Sequence, residues 1–143
     1  MTNWLLFHYK IPPEPSAGRV YIWRKLKRLG AILHQDAVWV LPSTPRTREH
    51  FQWLAAEIVE MDGEATLWEA QLALEGGEVP LKEQFLKQVE QPYAKILEQL
   101  QAAEPDLEAL SRQYQQIKTQ DYFQSETGNR VREKLLALRG GKS

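Results

Sequence analysis

Between Ser16 and Gly30 the chain reads SAGRVYIWRKLKRLG, and this stretch dictates what the rest must provide. At about 100° per residue, Ile22, Trp23, Leu26 and Leu29 gather on roughly a third of a helix circumference. Arg24, Lys25, Lys27 and Arg28 fill much of the remainder, and no acid lies between Arg19 and Gly30. The apolar arc needs a sheet to cover. The basic arc faces water or an anion. An ordinary solvated helix face offsets its cations with acids at i±4. Their absence marks Arg19, Arg24, Lys25, Lys27 and Arg28 as candidate polyanion-binding residues. Ser16 is read as the N-cap and Gly30 as the left-handed residue that ends the helix.

The segments around this helix are short and sharply punctuated. Asn3 to Lys10, NWLLFHYK, is apolar and aromatic and is closed by Ile11-Pro12-Pro13. It reads as a strand buried on both faces over most of its length, hence central in its sheet. Ala31 to Leu41 splits into two strands around a Gln35-Asp36 turn, whose type is left open because it lacks Gly. Ser43 or Thr44 caps a second helix with Pro45 in its first turn, where a missing N–H costs nothing. Phe51, Leu54, Ala55, Ile58 and Val59 recur at helical spacing to about Met61, and Asp62-Gly63 stops the run. Glu64 to Leu74 alternates at first and reads as a fourth strand. The order βαββαβ predicts a ferredoxin-like α+β domain over residues 1–75, with both helices on one face of an antiparallel sheet.

After Gly76-Gly77 the composition turns to Gln, Glu and helical periodicity. Residues 78–143 read as a helical C-terminal half packed on the first domain or used for dimerisation. Leu81 to Ala103 is one helix that Pro92 kinks or divides. A second begins after Glu104-Pro105-Asp106, and a third runs from Ser125 to Leu138 after an interruption at Asp121-Tyr122-Phe123. Arg139 to Ser143 reads as a frayed end.

With 143 residues the chain can bury about two-thirds of its unfolded surface without a covalent staple. Cysteine is absent, which excludes disulfides, thiolate metal sites and cysteine nucleophiles and fits a cytoplasmic setting. No apolar run is long enough to span a membrane, and no leader pattern is present. The formal net charge is −1, so any anion binding comes from local clustering.

The phrases WLLFHYKIPPEPSAGRVYIWRKLKRLGA, DAVWVLPSTPRTREHFQWLAAEI and GEATLWEA, with IKTQDYF further on, resemble the N-terminal domain of ChrB-type chromate-resistance regulators. The resemblance covers nearly the whole chain. The WRKLKRLGA pattern is also similar to the middle domain of PaaX-type repressors and, more remotely, to the ferredoxin-like nucleases of CRISPR adaptation. It implies a bacterial, cytoplasmic protein connected with transcriptional regulation of chromate resistance. In that family a larger chromate-resistance domain usually follows. Here that domain is expected to be missing or encoded separately, and in the second case it is a candidate partner, beside a homodimer.

Candidate chemistry centres on the basic helix. Its cations suit phosphates of DNA, through Arg forks and Lys point charges. Arg46 and Arg48 at the start of the second helix extend the patch if both helices share a face. A chromate oxyanion is a second candidate ligand for the same arginines. Phosphate contacts position without reading sequence, and no winged-helix segment is read ahead of Met1 to supply base contacts. Of the five tryptophans, Trp23, Trp39 and Trp53 are expected in the core and Trp68 on the surface. His8, His34 and His50 match no metal signature. The nucleases hold metal with an Asp at the end of their first strand, where this chain reads Tyr9-Lys10-Ile11-Pro12. Gly140-Gly141-Lys142-Ser143 lacks the upstream glycine and following helix of a phosphate-binding loop. The expectation is a non-enzymatic regulatory module without metal or cofactor.

Overall fold

The computed structural model describes residues 2–140. Its elements are β1 (Trp4–Lys10), α1 (Ser16–Leu29), β2 (Ile32–His34), β3 (Val38–Pro42), α2 (Pro45–Glu60), β4 (Glu64–Ala70), α3 (Glu78–Gln99), α4 (Leu107–Lys118) and α5 (Glu126–Gly140). The chain divides into two compact units, one through Glu78 and one from Val79 onward. Of the frayed end expected over Arg139 to Ser143, Arg139 and Gly140 instead continue α5, and residues 141–143 lie outside the described residues.

In the first unit the four strands form one sheet in the order β2-β3-β1-β4, with every neighbouring pair antiparallel. This is the ferredoxin-like arrangement, and β1 is central in it. β1 is not buried on both faces over most of its length, as its apolar run suggests: Leu5 and Phe7 are sealed beneath the helices, but on the opposite face Leu6 is half-buried and His8 and Lys10 are exposed. Register places Leu5 beside Leu41 and Phe7 between Trp39 and Leu67, so these side chains share one face. Phe7 stacks on Phe51 of α2 at 4.7 Å between ring centres, nearly parallel. Ile22 and Leu26 of α1 and Phe51, Leu54 and Ile58 of α2 are buried there. β4 ends at Ala70, short of the expected Leu74. Ala70 is the partner of Trp4, where β1 begins, so the ladder has nothing further to pair with.

Helix ends explain much of the layout. Gly30 adopts φ 80° and donates to Lys27 O, while Ala31 N–H reaches back to Leu26 O at 3.1 Å. α2 closes with the same joint: Asp62, at φ 62°, donates to Val59 O and Gly63 to Ile58 O. A Cβ on Gly63 would lie 2.5 Å from Lys10 O, so no larger residue fits that turn. Thr44 and Thr47 form a reciprocal capping box behind Pro45. The start of α1 differs from expectation. Pro15, not Ser16, is the N-cap, and no side chain caps that end. The β2–β3 turn uses left-handed Gln35 (φ 51°) and Asp36 (φ 57°), a conformation that polar residues reach at modest cost.

The second unit has its own core, built from Val89, Tyr93, Ile96, Leu110, Tyr114 and Val131 among others. α3 is not divided at Pro92. It continues through the proline, because Val89, Tyr93 and Ile96 are all buried and bracket the lost hydrogen bond with packing. Asp106 caps α4 by accepting from Ala109 N–H at 3.1 Å. The Asp121-Tyr122-Phe123 interruption is an aromatic plug: both rings meet Phe85 edge-on, at 6.0 and 5.7 Å.

Candidate nucleic-acid interface

α1 forms where the sequence places it, and its buried side is narrower than its apolar arc. Ile22 and Leu26 are sealed, but Trp23 is 50% exposed and Trp53 of α2 is 65% exposed. Both were expected in the core. Trp23 sits about 90° from the centre of the buried arc and Trp53 about 135° from that of α2, beyond the reach of the sheet. Trp39 is buried and Trp68 exposed, as their strand positions require. Trp68 donates its indole N–H to His8 Nε2 at 2.8 Å on β1.

The seven candidate cations do not form one patch. On α1, Tyr21, Lys25 and Arg28 fall within about 60° of one another, on the flank towards α2. On α2, Arg46, His50, Trp53 and Glu57 fall within about 60° as well, on the flank towards α1. Between them lies a shallow groove of about 200 Å³ that includes Lys25, Arg28, His50, Trp53 and Glu57 in its walls. Lys25 Nζ lies 3.4 Å from Glu57 Oε1 and 5.1 Å from the Tyr21 ring centre. The Tyr21 hydroxyl foremost, with help from Glu57, holds the Lys25 ammonium above the ordinary lysine range against the opposing effect of burial. Glu57 and Tyr21 thus orient Lys25 along the groove.

The other candidates lie elsewhere. Lys27 is on the far flank of α1, 5.7 Å over the Trp23 ring. Arg24 is exposed and pairs with no acid among the described residues. Arg19 faces Tyr9 of β1, whose phenol is pushed up by burial against the opposing influence of Trp39 and of Arg19. Arg48 is on the side of α2 away from α1. It donates to Glu69 Oε2 of β4 at 2.8 Å, and Ser43 donates to the other carboxylate oxygen at 2.7 Å. Ser43 foremost, with Arg48, holds the Glu69 carboxyl below its usual range, so Arg48 ties α2 to the sheet edge. Of the residues on these two flanks, sequence reasoning passes over Tyr21, weighs Trp53 as a base-stacking ring but assigns it to the core, and weighs His50 only as a metal ligand and Glu57 only as a solvated carboxylate. The signal was available, since positions 46, 50, 53 and 57 repeat at i, i+4, i+7 and i+11.

Among the described residues no three His, Asp or Glu side chains converge as metal ligands. No helix among them is long and apolar enough to cross a membrane.

Residues 19–102 match the family described as Protein ChrB, N-terminal. Protein ChrB of Cupriavidus metallidurans (strain ATCC 43123 / DSM 2839 / NBRC 102507 / CH34) is 31% identical over 106 residues, 74% of this chain and 32% of that protein. The chain thus spans about a third of that relative's length. No solved structure matches.

Proposed function

This chain belongs to the ChrB N-terminal family, and from that premise we propose that it is a non-enzymatic regulatory module of chromate resistance. It acts in the cytoplasm and binds DNA through the outer face of α1. The observation that carries this reading is a helix without a single acid that turns Arg24, Lys27 and Arg28 outward from a rigid sheet. Such a row suits the phosphate backbone, which rewards cation density rather than any one contact geometry. A chromate dianion fits the face less well, because the outward cations fan around the helix instead of converging on one point.

The test is a salt titration of duplex binding by fluorescence anisotropy. Affinity should fall by about 0.9 log unit per log unit of salt for each phosphate neutralised. The combined variant R24E/K25E/R28E should abolish binding while the far-ultraviolet spectrum stays unchanged. Binding that survives this variant removes α1 from the interface.

A second reading, an interaction module that pairs with itself or with a chromate-resistance domain on another chain, is favoured by the exposed Trp53 and Val59 of α2. It predicts a dimer or heteromer whose mass is insensitive to salt.

A further inference from the structure

The groove between α1 and α2 combines two features that a duplex backbone does not need together. It has cations in its wall, Lys25 and Arg28 of α1. It also has a tryptophan whose ring is largely in solvent, beside His50 and within the groove wall. A phosphate seeks the first feature. A flat aromatic ring seeks the second. Paired bases inside a duplex present no free face to stack on an indole, whereas an unpaired base does.

We propose that this groove holds an unpaired nucleotide, with its base stacked on Trp53 and its phosphate on Arg28 and Lys25. The inference rests on the nucleic-acid reading above and specifies which form of nucleic acid the face takes. Glu57 is the one carboxylate in the groove wall, and Lys25 at 3.4 Å offsets it, so the site keeps a net positive charge. Tyr21 lies one turn along the same flank of α1 and offers a second ring for a neighbouring base. The domain would then prefer single strands, or duplex opened at one position, over intact duplex.

The experiment uses the full chain with a fluorescein-labelled thymidine-rich 12-mer and with a 12-base-pair duplex containing it. Wild type should bind the single strand more tightly. W53A should weaken single-strand binding by about 5- to 150-fold, the range that stacking on an aromatic represents, and leave duplex binding unchanged. W53F, which keeps a ring, should retain most of the preference. Trp53 is on the surface, so neither change threatens the fold. A single-strand preference that survives W53A, or equal binding of the two forms, overturns this inference and leaves the DNA reading standing. No salt-dependent binding to either form overturns both. A glutamate-rich peptide that binds with the same Trp53 dependence, when neither oligonucleotide does, assigns the groove to protein instead and overturns both as well.

Discussion

The Tyr93 hydroxyl donates to Asp121 Oδ2 at 2.9 Å, and the other oxygen of the same carboxylate accepts from Ser125 N–H at 3.0 Å. One side chain thus ties the middle of α3 to the residue before α5. Ser125 in turn accepts from Gly128 N–H at 3.2 Å, and Thr127 donates to Glu90 Oε1 at 2.6 Å. The start of α5 is thus capped by side chains of the segment before it, Asp121 and Ser125, where intrahelical backbone partners are missing, and Thr127 adds a tie to α3.

This link makes the second unit sensitive to alkali. Burial foremost, and then Asp121, push the Tyr93 phenol well above its ordinary range. The folded state therefore keeps a proton that the unfolded chain releases near pH 10. The stabilisation is fully present below that pH and is lost as pH rises beyond it. In urea titrations the wild-type midpoint should fall more steeply between pH 9 and 11 than that of Y93F. At pH 7, Y93F should cost about 1.5–3 kcal/mol, the usual worth of a hydrogen bond to a charged group.

Gly128 is set by packing rather than by backbone freedom. A Cβ there would lie 2.6 Å from Tyr93 Cε2 and 2.8 Å from Cζ. G128A gains up to about 1 kcal/mol of helix propensity and forces a buried ring to move. Overpacking wins, and the variant should lose about 1–3 kcal/mol in thermal or urea unfolding. Combining it with Y93L should recover part of that loss, because the clash is with the ring.

Arg24 and Arg48 separate the interface from the scaffold. Arg24 projects from α1 into solvent, while Arg48 is committed to Glu69 on the other side of α2. R24E should weaken DNA binding and lower the salt slope by about one phosphate. R48E should leave both within error. Equal losses would spread the interface around the whole helical layer.

The first unit was legible because its boundaries are chemical. Prolines end the first and third strands, Thr44-Pro45 opens α2, and Gly30 and Gly63 stand where the helices stop. Trp53 and Trp23 differ from expectation because apolar character does not measure depth. The width of an apolar arc does not say how much of it a sheet can cover. The candidate cations divide between faces for a related reason. Arg46 and Arg48 are two positions apart, which on a helix puts them about 160° from one another. The Tyr93–Asp121 link spans 28 positions and has no local signature at all.

The matching joints at Gly30 and Asp62 bear on how such a domain can evolve. Each stop is written locally, so an extra residue inside either helix cannot be absorbed at its end. It would swing everything on one side of the insertion by about 100°, turning Lys25 or Trp53 away from its neighbours across the groove. Substitutions can retune this surface one side chain at a time, while a length change would scramble its phase outright.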